Sequence, residues 1–354
     1  MTSRERIATI FNGGIPDRVG IHDSVWGSTL ERWHREGLPA GVDPLDYLGV
    51  NDIVRIKADD SLRFPVQVLA ETGEHRIYVD ANGVTRKDLK TGGGWTPQWM
   101  GQFTIQDRKS WEENRHRLAF CDARIPENTM QVYRKAREEG KFVMYSGHAC
   151  FHPIWQWIGQ ITEFVWMAED PDLVREMFEA FVQLVIDNYE GLKAMGIEFD
   201  GVFMADDMGY RNGTLFSEPM YRQLVLPSHR RICDHMAADG LAVTLHSDGD
   251  IRAFIPVLLE AGFRGLHPLE AKAGLDVRDL KSRYGDRLVL HGNIDVRVLA
   301  TTKAAIEEEI RSKVMAAKQG GGYIYHSDHS VPHDVPFENY AYAIEMVKKY
   351  GSYD

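Results

Sequence analysis

Residues 241–270, LAVTLHSDGDIRAFIPVLLEAGFRGLHPLE, decide the fold. A β-rich run at 241–246 gives way to the polar, Gly-containing loop SDGD. An amphipathic stretch at 251–261 follows, and a second β-rich run begins at 263. Strand, loop and helix in that order are one βα unit, and its repetition predicts a parallel sheet. Working outward, further strands are predicted at 198–205, 287–291 and 321–326, with 263–267 between them. Helices are predicted at about 217–238, 276–283, 303–318 and 336–350. Weaker strand signals at 17–22, 53–58 and 141–146 bring the number to eight. Eight βα units predict a single α/β domain of the (β/α)8, or TIM-barrel, type over residues 1–354.

Residues 60–125 break the repeat. They contain HRIYVD–ANG–VTRKDL, a hairpin pattern with Asn82-Gly83 at its turn, and then TGGGWTPQWMG. This reads as an insertion after strand 2, placed over the barrel mouth, with 90–104 and its Trp95 and Trp99 as a cover that excludes water. A surface hairpin without a role is the alternative. The N-terminus, MTSRERIATIFNGG, reads as a helix capped by Thr2 or Ser3 with Ile7, Ile10 and Phe11 on one face.

Composition narrows the function. Apolar residues are 44% and charged residues 26%, which excludes disordered and fibrous classes. A net charge of −11 disfavours nucleic acid and anionic membranes as partners. The three cysteines, Cys121, Cys150 and Cys233, lack the spacing of a zinc knuckle or redox motif. With no signal-like opening and no long uncharged apolar run, the cytoplasm is the expected location.

Catalytic residues of such barrels sit at the C-terminal ends of strands. Here those ends carry Asp59-Asp60, then His148 and His152, Asp206-Asp207, His246-Ser247-Asp248, His267 with Glu270, His291-Gly292-Asn293, and His326 to His329. Caps and turns also favour Asp and Asn, but capping alone does not account for seven such ends on one rim. Of the pair Asp206-Asp207, one acid can orient while the other, with a raised pKa, donates a proton. Asp207 is expected to be the donor, and an N-cap role is the alternative. His22, Asp23 and Trp26 after strand 1, and His148, His152 and Trp155 after strand 3, are expected to form pocket wall and substrate contacts. Tyr210, Arg211 and Asn293 are further contact candidates.

The segments RERIATIFNGGIPDRVGI, ADDMGYRNGTLFSEPMYRQLVLPSHRRI, LHSDGDI, LHPLEAKAGLDVRDLKSRYGDRLVLHGNID and GGYIYHSDHSVPHDVPFENY carry a resemblance. The chain resembles the uroporphyrinogen decarboxylase superfamily, more its methyltransferase-like branch than the porphyrin enzyme itself. The resemblance implies a (β/α)8 barrel. It also implies a metal site. The zinc methyltransferases of this superfamily, and the similar barrel of cobalamin-independent methionine synthase, use His-x-Cys, a later Cys and, in the latter, a Glu. His246 matches the first ligand and Asp248 replaces the first Cys. Glu270 follows at the methionine synthase spacing of 22 residues, and His329 replaces the last Cys. The implied site is His246, Asp248, Glu270 and His329, holding zinc or another divalent metal. Losing both thiolates makes the metal harder, favours oxygen substrates and also suits Fe, Mn or Ni.

Three functions are weighed. The first is a metal-assisted methyltransferase acting on a small methylated oxygen compound. Its cobalamin would sit on a separate corrinoid protein, because this chain has no D-x-H-x-x-G signature. The second is a cofactor-free decarboxylase, with Asp60 (or Asp59) where the family's catalytic Asp lies and His329 at its late His. Trp155 replaces the family Tyr, and IHDSVWGSTLERWHREGLP stands in place of the Arg-rich motif that grips substrate carboxylates, so uroporphyrinogen itself is not expected to be a substrate. The third is a non-catalytic binding protein. A small molecule, a corrinoid protein and a second copy of the chain, as a homodimer, are the candidate partners.

Overall fold

The computed structural model describes residues 1–90 and 97–353. Eight parallel strands form one sheet: β1 (Gly20–Ile21), β2 (Ile53–Ile56), β3 (Phe142–His148), β4 (Gly201–Ala205), β5 (Val243–His246), β6 (Gly265–His267), β7 (Val289–His291) and β8 (Tyr323–Tyr325). Their order is β1-β8-β7-β6-β5-β4-β3-β2. The seam between β1 and β2 is bridged by one backbone bond, Asp52 N to Ile21 O at 3.1 Å. The Asp52 side chain reinforces it. Fully buried, it accepts from Ile21 N (2.8 Å), Arg6 (2.9 Å), Arg18 (2.7 Å) and Ser3 Oγ (2.6 Å). Two guanidiniums and an amide replace the water that this carboxylate loses, without which its burial would be costly. The expected (β/α)8 architecture is therefore present, nearly closed.

Alternation along each strand builds the interior in layers. The lower layer holds Ile53, Phe142, Met144, Phe203, Val289 and Ile324, packed on Ile7 and Ile10 of the N-terminal helix Ser3–Phe11. That helix plugs the barrel floor, and a capping box between Thr2 and Glu5 starts it. Gly20 leaves room for this packing, because a Cβ there would stand 2.4 Å from Ile7 Cδ1 and the isoleucine would have to shift. Two residues further along, Ile53, Val289 and Ile324 are followed by Arg55, His291 and His326, and Gly20, Thr244 and Gly265 by His22, His246 and His267.

The predicted hairpin in the insertion forms between His75–Val79 and Thr85–Leu89, with Val79 opposite Thr85. Asp80 Oδ1 accepts from Asn82 N and Val84 N in its turn. Gln67–Glu71 and Gln98–Met100 extend it to a four-stranded antiparallel sheet. The insertion touches the segment after β3. Trp157 Nε1 donates to Asn82 Oδ1 (3.1 Å), and Trp99 packs edge-on against Trp155 at 5.1 Å. Trp95 lies outside the described residues. Among the described residues, no helix is long and apolar enough to cross a membrane.

Candidate active site at the barrel mouth

Asp206 and Asp207 leave β4 in opposite directions, as neighbours at a strand end do. Asp206 is fully buried. It accepts the backbone N–H groups of His152 (2.6 Å), Phe151 (3.2 Å) and Cys150 (3.4 Å), the first turn of helix Phe151–Ile158. His229 Nε2 lies 2.7 Å from Asp206 Oδ2, and Tyr221 OH lies 2.7 Å from His229 Nδ1. Asp206 thus caps a helix that precedes it in sequence and orients the segment carrying His152, the part that falls to the second acid of the pair, without facing the mouth itself. Cys150, Asp206 and His229 do converge closely enough for a metal. All three are sealed in the core, and Asp206 is already engaged by this network.

Asp207 faces the mouth. His152 Nδ1 lies 2.9 Å from its Oδ2, Asp248 N donates to its Oδ1 (3.0 Å), and His246 Nε2 stands 3.6 Å away. Burial pushes this carboxyl up, but the bond to His152, the charges of His152 and His246 and the Asp248 amide together hold it well below the usual carboxylate range. This direction and the two bonds it accepts suit Asp207 to act as an acceptor rather than as the proton donor expected of it. The capping alternative does not hold either, because Ser217 Oγ caps the next helix.

Asp207, His246 and Asp248 each offer a donor atom within 4.8 Å of the other two. His329 Nε2 is 3.6 Å from Asp248 Oδ2. Asp248 Oδ1 is buried without a hydrogen bond. A buried acceptor with no donor is costly, and a cation would satisfy it. The N/O donor set thus fits a divalent metal. Glu270 does not take part. Its Oε2 accepts from Gly249 N (2.6 Å) and its Oε1 pairs with Lys272 (2.8 Å). The carboxylate clamps the 247–250 loop from behind, where a Cβ on Gly249 would stand 2.3 Å from the Gly209 backbone. Glu270, expected as a ligand, is therefore outside the convergent group, whose second carboxylate is Asp207.

Asp60 pairs with His148, Oδ2 to Nδ1 at 2.8 Å, and also accepts His148 N (3.2 Å). Burial alone would push the imidazole down, but Asp60 wins and raises it. The carboxyl is correspondingly lowered against its own burial. His148 faces His152 at 5.4 Å, and Trp155 stacks on His152 at 4.8 Å. Trp26 packs against His329 at 5.8 Å. Tyr210 is half exposed on a short hairpin at the rim, and Arg211 beside it is exposed.

Across the mouth, His22, His267, His291 and His326 form a buried group. Ring centroids are 4.2 Å apart for His267 and His326, 4.7 Å for His267 and His291, and 5.3 Å for His22 and His291. His246 Nδ1 joins at 2.7 Å from His267 Nδ1. Burial pushes all four well down, His326 to about 3, and the Arg55 charge adds to the effect on His22, His291 and His326. They are neutral rings. Behind them Asp23 accepts from Ser327 Oγ (2.8 Å) and Tyr340 OH (3.2 Å), and burial raises it to about 7. Buried there, Asp23 is not a substrate contact. Nor is Asn293: fully buried, it donates to Leu269 O and Leu275 O and accepts from Val277 N.

Sequence reasoning passed over Arg55 and His229. For Arg55 a signal existed: one cation inside the apolar run IVRI, two residues from inward-facing Ile53. His229 lies within a helix, and nothing local marks it. A groove of about 810 Å³ between the helices Pro171–Ala194 and Leu226–Ala238 lies on the barrel's outer face, lined by Arg222, Arg230 and Arg231, and contains none of these strand-end groups.

A barrel whose strand ends gather acids and imidazoles around an open mouth has the layout of the (β/α)8 enzymes. The family described as uroporphyrinogen decarboxylase (URO-D) matches residues 161–350, more than half of the chain. The chain belongs to that family. Uroporphyrinogen decarboxylase of Enterobacter sp. (strain 638) is 34% identical over 126 residues, 33% of this chain and 35% of that protein. The Legionella pneumophila (strain Corby) protein of the same name is 39% identical over 72 residues, 20% of each. The chain thus spans a fifth to about a third of the length of the curated relatives it matches. A methyltransferase from Methanosarcina mazei shares the fold over 99% of both chains, with a TM-score of 0.66 and 15% identity.

Proposed function

We propose that this member of an enzyme family is a metal-assisted methyltransferase acting on a small methylated oxygen compound, with a corrinoid on a separate protein as methyl acceptor. One observation carries the reading: Asp207, His246 and Asp248 converge at the mouth, and Asp248 Oδ1, 4.0 Å from His246 Nε2, is buried without a hydrogen bond. These three side chains would hold the metal, with His329 beside Asp248. A divalent ion there supplies Lewis-acid polarisation of an ether oxygen. The chain's own residues supply the rest. His152, fixed by Asp207 and stacked on Trp155, shapes the wall beside that oxygen. Asp60 keeps a proton on His148, so His148 takes the role of donor to the departing oxygen. Glu270 and Asp206 hold the loop and helix that carry these groups.

Elemental analysis and calorimetric titration with Zn, Mn, Fe, Co and Ni test the site. The expected result is one divalent ion per chain and methyl transfer to cob(I)alamin from a methoxy compound. No heat, no change in melting temperature and no methylcobalamin would overturn the reading. Cofactor-free decarboxylation of a small acid is the second reading, favoured by Asp60 at the end of β2 and by the activity for which the family is named. Release of carbon dioxide by metal-free protein would select it. Uroporphyrinogen is expected not to react, and its turnover at the rate of a genuine decarboxylase would contradict both readings. A protein that binds ligand but turns nothing over would remain as a binding module.

A further inference from the structure

Arg55 stands in the centre of the barrel without a counter-charge. Its guanidinium lies over the Phe203 ring at 4.7 Å. Its hydrogen bond is a long one, to Ser24 Oγ at 3.5 Å. Among the described residues it has no carboxylate partner. Arginine cannot shed its proton, and it carries five N–H donors in a planar fork. Most of that fork is therefore unused. By area the side chain is open to solvent, yet desolvation lowers its pKa.

The imidazoles around it are equally underused. His22 Nδ1, His267 Nε2 and His291 Nε2 are buried with no hydrogen-bond partner, on residues at least 95% buried. Phe203, under Arg55, also packs against His246, His267 and His291. Three orphaned ring nitrogens and an unpaired cation thus share one floor. A buried polar group left without a partner costs free energy, and three such nitrogens beside a guanidinium with no counter-charge mark a place for one ligand.

We propose that Arg55, with the ring nitrogens of His22, His267 and His291, forms a binding site for the carboxylate of a small organic acid. The charge and the planar fork fit a carboxylate side-on, and an uncharged imidazole N–H donates to the same oxygens. A monoanion is favoured over phosphate because Asp60, Asp207 and Asp248 face the same mouth and would repel a second negative charge. The site is built at the ends of β1, β2, β6 and β7 and adjoins the Asp207–Asp248 cluster where His267 Nδ1 lies 2.7 Å from His246 Nδ1, but it takes no ligand from that cluster. It therefore stands whether the reaction is methyl transfer or loss of carbon dioxide, and its test reads binding alone.

Acetate is the probe, because a site that takes a larger carboxylate admits the smallest ones. The protein is crystallised in high-millimolar acetate, and its melting temperature is followed with acetate, with neutral acetamide and with inorganic phosphate. The expected result is acetate on Arg55 in the crystal, a rise in melting temperature with acetate alone, and loss of at least about tenfold in affinity in Arg55→Gln. Arg55→Lys keeps the charge without the fork and should retain part of the binding. Circular dichroism establishes that both variants fold. If neither does, the crystal and the acetate–acetamide comparison decide. A site without acetate, equal response to acetamide, tighter binding of phosphate, or unchanged affinity in a folded Arg55→Gln would overturn the assignment.

Discussion

The mouth has two halves made of the same residue type in different states. On the β2–β5 side the histidines are paired with acids: His148 with Asp60, and His152 and His246 with Asp207. On the β1 and β6–β8 side the lining rings, His22, His267 and His291, have no acid beside them, and desolvation keeps them neutral. Even the carboxyl behind that half, Asp23, is pushed up to about 7. An imidazole's role is thus set by its neighbour. Next to a carboxylate it holds a proton or orients a ligand, and in a dry ring it becomes a neutral donor or acceptor. One half suits a cation, and the other, with Arg55, suits an anion.

The contrast breaks first on pH. A ring whose folded pKa lies below its ordinary value of 6.5 gives stability that is present above pH 6.5 and lost as pH falls. For His326, pushed down to about 3, the loss is on the order of 5 kcal/mol once pH passes both values. Asp23 runs the other way. Raised from 3.8 to about 7, its contribution is present below pH 3.8 and lost as pH rises through about 7. The two windows overlap, and four lowered rings outweigh one raised carboxyl, so the melting temperature should climb steeply from the acid side to a maximum at about pH 6.5–7 and decline only slightly as pH rises through about 7. Asp23→Asn should move the peak to higher pH. Thermal melts from pH 4 to pH 9, run on both proteins (, roughly half-unit steps), check this, and a flat profile would contradict the neutral ring.

The scaffold under the acid half gives the next largest effect. Asp206→Ala leaves His229 and the first turn of helix Phe151–Ile158 without their acceptor, and should cost about 3–5 kcal/mol. Denaturant unfolding measures it. A loss of activity with full stability would return Asp206 to the chemistry.

Metal affinity sharpens the division between ligand and support. Asp248→Ala should weaken binding by more than the roughly 10–100-fold that an outer partner is worth, whereas Glu270→Gln, which only loosens the Gly249 clamp, should fall within that range. Calorimetry on both variants separates the roles, and equal losses would make Glu270 a ligand after all. The smallest change is expected at the rim. Tyr210→Phe removes a half-exposed hydroxyl and should shift stability by less than about 0.5 kcal/mol. Chemical denaturation beside the wild type checks it.

Sequence by itself determined the barrel and the acid- and histidine-rich rim at its strand ends. Strand and helix periods are local, so the βα repeat of 241–295, the eight strands and the acid-rich strand ends could all be counted along the chain. The hairpin at Asn82-Gly83 was legible for the same reason, since turn geometry is set within a few residues. What only the tertiary structure decided is which strand-end groups face the mouth and in what charge state. Asp206 and Asp207 are adjacent in sequence, yet one caps a helix while the other meets His152 and His246. Glu270 kept a family spacing but turned toward Gly249, and Asn293 turned into the core. Arg55 acquired its setting from Phe203 on β4, far away along the chain. Side-chain direction at a strand end depends on pleat and on the register of neighbouring strands, and a pKa depends on burial and on charges a few ångströms off. Both are set by contacts between distant segments, so no local reading of the chain could supply them.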